Sequence, residues 1–292
     1  MQVRAQRLAL EVFLVPWLLV AAWGLSATNH WLESRAVEAA ASGDVGALPN
    51  GRALNVASLG FERLVADLFW IRTVYYVGGD EPSRAGWPAA ERLANLVSDI
   101  DPHFDTVYTV MSSVLSGLGS NPDAAIRVLE KGAAVSSFWR IHFLLGFQYF
   151  VEKQDYERGA KALERAVELG GPPYLQFLVS RLYATAGDPT TAMGFIQARM
   201  KDEPDPEVRK KLAKRLSDIW VNRDLAAIDG AIATYEATEH RTPTRVAELV
   251  DAGLLAREPR DPLGGAYGIS NGAATSAVEH EAIAPHSTRG PK

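Results

Sequence analysis

Hydrophobic residues are distributed along this chain in two different ways. Leu8–Ala27, "LALEVFLVPWLLVAAWGLSA", is an almost unbroken apolar run of 20 residues whose one charge is Glu11. From residue 58 onward, apolar residues instead recur three and four positions apart, in blocks separated by short polar turns, which is the spacing of one helix face. "SLGFERLVADLFWIRTVYYVGG" (58–79) predicts a strong helix through Phe61, Leu64, Val65, Leu68, Phe69 and Ile71, stopped at Gly78-Gly79. "PAAERLANLVSDIDP" (88–102) predicts a second, with Pro88 at its start and Pro102 beyond its end.

After residue 102 the pattern repeats itself. "FDTVYTVMSSVLSGLG" precedes "NPDAAIRVLEKGAAV"; "FWRIHFLLGFQYFVEK" precedes "DYERGAKALERAVEL"; "YLQFLVSRLYATAG" precedes "DPTTAMGFIQARM". Each pair predicts two helices joined by a turn with Asn or Asp at the second N-terminus. The second helices align as Ala125, Leu129, Gly132, then Gly159, Leu163, Ala166, then Ala192, Ile196, Arg199, at intervals of 34 and 33 residues. A helix–turn–helix unit with that period resembles the tetratricopeptide repeat. Gly146 with Tyr149, and Ser180 with Tyr183, match the family's small residue followed three positions later by an aromatic. Gly187 matches the turn, and Pro172 and Pro204 match the proline that ends a repeat. The unit at 105–137 has Ser113 and Ser116 and lacks the aromatic, the 58–102 hairpin has too long a loop, and Arg199 replaces an expected small residue. The resemblance implies an all-α fold, a right-handed α-solenoid of helical hairpins over 58–205.

The remaining segments complete the expected layout. The apolar run matches the about 20 residues that cross a bilayer. Trp17, Trp23 and Pro16 suit such a helix, and Arg4 and Arg7 place its N-terminal side in the cytoplasm and the rest of the chain outside. Residues 1–29 are therefore expected to be a single-pass anchor in the cytoplasmic (inner) membrane, with the main domain periplasmic. A cleaved signal peptide is the alternative, although no clear small-x-small site precedes the polar stretch. Residues 30–57 read as a juxtamembrane helix and linker. Residues 206–240 read as a long capping helix whose charged first half faces solvent. "RTPTRVAELVDAGLLAREPRDPLGGAYGIS" (241–270) predicts a short helix over Pro243–Leu255, then turns and a strand. Asp261, Pro262, Gly264 and Tyr267 resemble the C-terminal turn of pilin-like proteins. Residues 271–292 lack periodicity and are expected to be disordered.

Composition narrows the chemistry. A net charge of −5 argues against a nucleic-acid partner, and the absence of cysteine excludes disulfides, thiolate metal sites and a cysteine nucleophile. None of the six histidines, His30, His103, His142, His240, His280 and His286, pairs with another at metal-ligand spacing on a helix. No Gly-x-Ser-x-Gly stretch occurs, and neither glycine-rich segment has phosphate-loop context. No cofactor, metal or catalytic group is expected.

The functional expectation is a groove. In tetratricopeptide proteins the first helices of successive repeats line a concave face, and those positions here are Val107, Val110 and Val114, then Arg140, Phe143, Phe147 and Phe150, then Tyr174, Phe177 and Arg181. Aromatics and arginine dominate binding hot spots; the same phenylalanines could equally be core. The whole chain also resembles anchored bacterial repeat proteins of type IV pilus systems, including an accessory component of a pilus-linked ABC transporter. The expectation is a non-enzymatic envelope scaffold. The alternative is a helical ligand-binding or accessory subunit of an envelope enzyme or transporter, which requires a closed pocket with converging polar groups.

Overall fold

The computed structural model describes residues 48–79 and 87–282; the expected anchor, the segment to residue 47 and the last ten residues lie outside that range. Among the described residues the chain is mostly helical, and no helix is long and apolar enough to cross a membrane. The chain divides into two compact units at Val107/Tyr108.

The first unit contains α1 (Gly51–Ala57), α2 (Glu62–Gly78) and α3 (Trp87–Ile100). Helix α1 occupies residues expected to be linker. Asn50 is its N-cap, with a side-chain oxygen accepting from Ala53 N at 3.1 Å. The Asn55 amide then reaches Ile100 O at 2.6 Å and ties α1 to α3.

The second unit begins within α4 (Asp105–Gly117) and continues through α5 (Pro122–Ala133), α6 (Trp139–Phe147), α7 (Tyr156–Glu168), α8 (Leu175–Thr185) and α9 (Pro189–Asp202). The last turn of α6 widens into a π-helical segment, Gln148–Glu152. The sequence period is a structural period. Asn121, Asp155 and Asp188 each cap the second helix of a pair, accepting from Ala124, Arg158 and Thr191 N. The Tyr149 hydroxyl donates to Glu130, and 34 residues on Tyr183 donates to Glu164 at 2.5 Å. Burial first, and then the adjacent carboxylate, push the Tyr149 phenol up to about 12 and that of Tyr183 higher still, so both remain donors at every ordinary pH.

Small residues set the helix spacing. A Cβ on Gly146 would lie 2.6 Å from Leu163 Cγ and 2.9 Å from Gly159 O, so α6 and α7 meet nearly backbone to backbone. Successive helices then share one core, in which Leu163, Ala166, Leu175, Val179, Ile196 and Leu212 are buried. At Arg199, where the repeat pattern predicts a small residue, Nε is buried without a hydrogen-bond partner and a cavity of about 400 Å³ lies alongside.

Pro206–Glu239 is one helix, α10, started by Asp205 and ended at His240 in the left-handed region (φ 56°). Its buried face runs Leu212, Arg215, Ile219, Asn222, Leu225, Ile228, Ile232 and Tyr235. The far end carries a second core with α11 (Val246–Asp251), which is shorter than the expected Pro243–Leu255. The strands β1 (Tyr267–Ser270) and β2 (Ala273–Ser276) pair antiparallel, Tyr267 opposite Ser276. Strand β2 and the chain as far as Ala282 are ordered, against the expectation of a disordered tail from residue 271. The turn is Asn271-Gly272, both at positive φ, which matches the twist of a two-residue hairpin. Ala274 N donates to Asp229 Oδ1 at 2.7 Å and docks the hairpin on α10. The Asp261–Tyr267 turn is formed: Gly264, at φ 85°, donates to Asp261 O, and the buried Asp261 carboxylate accepts from Leu263 N and Ser276 Oγ.

Glu248 staples the start of α11, accepting from Arg241 Nη1, Thr244 N, Thr244 Oγ1 and Arg245 N. The Arg241 bond first, then those from Thr244, lower its carboxyl from 4.5 to about 2. A depressed carboxyl contributes stability above its unfolded pKa and loses it as pH falls through the folded one. The melting-temperature gap between wild type and Glu248→Gln is expected to be full at pH 6 and to close between about pH 4.5 and 2. Thermal melts across that range check this.

Candidate functional site

Helix α6 is apolar on nearly every side, and its aromatics form a row. Ring centroids step from Trp139 to Phe143 at 6.1 Å, Phe143 to Phe147 at 6.4 Å and Phe147 to Phe150 at 5.3 Å. These are normal distances for tilted and edge-to-face pairs. Trp139, Phe143 and Phe150 rest on the buried core and are half exposed, while Phe147 is exposed. The row is thus both core lid and surface, which places it between the two readings of the sequence. Phe150 joins it because it lies on the π-helical segment, a distortion frequent at functional sites. Arg140 is exposed, and its guanidinium carbon lies 5.6 Å from the Trp139 ring centroid.

The other expected positions divide. Val107 is 0% exposed and is a core residue, not a groove residue. The inward face of α4 consists of Val107, Tyr108, Met111 and Leu115, which leaves Val110 exposed and Val114 half-buried. Tyr174 is 59% exposed at the start of α8, Phe177 is half-buried against the core, and Arg181 is exposed.

Arg181 lines an open cavity of about 430 Å³ between α8 and α10, with Phe177, Lys211, Lys214, Arg215, Asp218 and Glu281 also at its wall. Arg140 does not line it. Arg215 is only 6% exposed; its Nε lies 3.3 Å from Ser180 Oγ, its Nη2 3.3 Å from Phe177 O, and its Nη1 3.1 Å from the Glu281 carboxylate. Lys214 pairs with the buried Asp218 at 3.0 Å. Sequence reading misses this cluster because "RKKLAKR" has the look of one solvated face. The signal that could have found it is Arg215 falling in line with Leu212 and Ile219, a charge on the apolar stripe.

A second surface is also invisible to the sequence reading. On α2 it is the outward face that is apolar: Phe61, Leu64, Leu68, Ile71 and Tyr75 are each more than half exposed. Ala66, Thr73 and Tyr76 turn inward instead.

Catalytic geometry is sparse. His142 is buried, its Nε2 3.3 Å from Ser136 O, and desolvation lowers its pKa. Among the described residues no hydrogen bond joins it to an acid, and no group of three metal-ligating side chains is found. The chain matches no protein-family model and shows no significant match to a curated protein.

Proposed function

We propose that the chain is a membrane-anchored, tetratricopeptide-like scaffold that binds a protein partner in the bacterial cell envelope, without enzymatic activity of its own. The observation that carries this reading is the half-exposed aromatic row on α6, Trp139 to Phe150, with Arg140 stacked at one end. Aromatics held in place by neighbours lose little entropy on binding, and together with arginine they make the strongest interface anchors. The 34-residue recurrence of caps and Tyr–Glu bonds supports a right-handed solenoid of repeats, whose first helices line one face. The 20-residue apolar run supports a single-pass inner-membrane anchor with the repeats on the periplasmic side. The resemblance to anchored repeat proteins of type IV pilus systems narrows the partner to pilus assembly or an associated ABC transporter.

Cross-linking in the native membrane followed by pull-down tests the reading. The double variant Arg140→Glu, Arg181→Glu is expected to recover the partner at least about tenfold less well than wild type, as for loss of interface hot spots. Equal recovery of every partner would sink the groove. Location is checked separately by a C-terminal reporter fusion; activity confined to the cytoplasm refutes the orientation.

A further inference from the structure

The cavity between α8 and α10 already holds a peptide residue, and it belongs to the chain itself. After β2 the backbone crosses α10, and Glu281 fastens it there. The Glu281 carboxylate meets Arg215 at 3.1 Å, its carbonyl accepts from Asn222 Nδ2 at 2.8 Å, and its N–H reaches Asp218 Oδ1 at 3.4 Å. This is recognition of an extended acidic residue at three points, two on the backbone and one on the charge. Arg215 is built for it: α8 holds the guanidinium from behind through Ser180 Oγ and Phe177 O, so one edge faces the carboxylate.

Two features go beyond a tail lock. The Glu281 side chain is 56% exposed although its partner is buried, so the carboxylate can leave while the arginine cannot. Arg181 and Lys211 line the same cavity and make no ion pair among the described residues, leaving cationic capacity that Glu281 does not use. Without Glu281 the wall carries four cations, Arg181, Lys211, Lys214 and Arg215, against Asp218 alone. A buried arginine stripped of its counter-charge is strongly disfavoured, so whatever displaces Glu281 must bring a negative charge, and the segment it replaces supplies that charge as a carboxylate. Charge-assisted contacts of this kind also favour more than one acid in the incoming segment.

We propose that this cavity is an exchangeable binding site for an extended acidic peptide, held shut by the chain's own Glu281. The proposal rests on the scaffold reading and names the chemistry of the partner segment at the Arg181 end of the groove. The probe is a fluorescein-labelled peptide of residues 275–282, TSAVEHEA, titrated by anisotropy into the full-length chain in detergent. Glu281→Ala is expected to bind it at least tenfold more tightly than wild type, because the internal segment keeps its two backbone contacts but loses its charge contact with Arg215 and so competes less well. A peptide with both glutamates replaced by glutamine is expected to bind Glu281→Ala at least tenfold more weakly. Adding Arg181→Gln and Lys211→Gln, both at exposed positions, is expected to weaken the acidic peptide severalfold with an unchanged melting temperature. Equal affinity of wild type and Glu281→Ala, or of the two peptides, overturns the proposal. That failure is distinct from failure of the scaffold reading, which is read from envelope partners lost on substituting Arg140 and Arg181.

Discussion

Gly146→Val is expected to destabilise the second unit and Gly194→Ala to stabilise it, although both glycines lie inside helices of that same unit. At Gly146 the first added carbon meets Leu163 Cγ at 2.6 Å and Gly159 O at 2.9 Å. The leucine contact is at the branch carbon of a fully buried side chain and the carbonyl is backbone, so α6 and α7 must separate. Overpacking of a tight contact costs ~1–3 kcal/mol, and valine, with two further methyls, belongs at the upper end. At Gly194 an added Cβ meets nothing within 4 Å. Alanine there removes unfolded-state freedom and improves helix propensity, a gain of about 0.5–1 kcal/mol. Urea denaturation followed by far-ultraviolet dichroism should show midpoints moving in opposite directions. An unmoved Gly146→Val would mean that the α6–α7 contact is not tight, and a destabilised Gly194→Ala would mean that Gly194 faces a neighbour rather than open space.

That contact was legible in the sequence because close-packed helix pairs need small residues at a fixed interval, and this chain has them. Gly159, Ala162 and Ala166 are buried where the second helix of a pair faces its neighbours. The caps were legible for the same reason: Asn121, Asp155 and Asp188 stand at matching offsets, and a helix N-terminus needs an acceptor wherever it begins. The hairpin at 267–276 is only partly legible, since the expected tail begins at residue 271, inside the turn Ser270-Asn271-Gly272-Ala273. Asn-Gly is a strong local turn signal, but the flanking strands are only four residues each and too weakly patterned to announce themselves. The Arg215 cluster was lost because it depends on contacts across more than thirty residues, to Ser180, Phe177 and Glu281, and no local spacing encodes those. Val107 is core because the first turn of α4 faces inward there, which the family's groove positions do not foretell.

Leu93→Ala is expected to cost about 2–5 kcal/mol, and Leu68→Ala no more than about 0.5 kcal/mol, although both leucines fall in strongly apolar helical patterns of the same unit. Leu93 is 1% exposed on α3, in a buried stripe with Ala89, Ala90, Leu96, Val97 and Ile100. Truncating it removes transfer energy and leaves a hole that fixed neighbours cannot fill. Leu68 is 61% exposed, and its neighbours along that face, Leu64 and Ile71, are exposed with it. Sequence spacing could not tell these cases apart, because an apolar stripe reports a face without saying what covers it. The inward face of α2 contains Ala66, Thr73 and Tyr76, and Thr73 satisfies its hydroxyl on Phe69 O at 2.8 Å rather than by packing alone. The unit's core therefore draws on the smaller and more polar side of α2. The larger side, with Phe61, Leu64, Leu68, Ile71 and Tyr75, is left exposed among the described residues. Melting of the two single variants separates the faces: a loss at Leu68 as large as that at Leu93 would place the Leu64–Ile71 face inside a core.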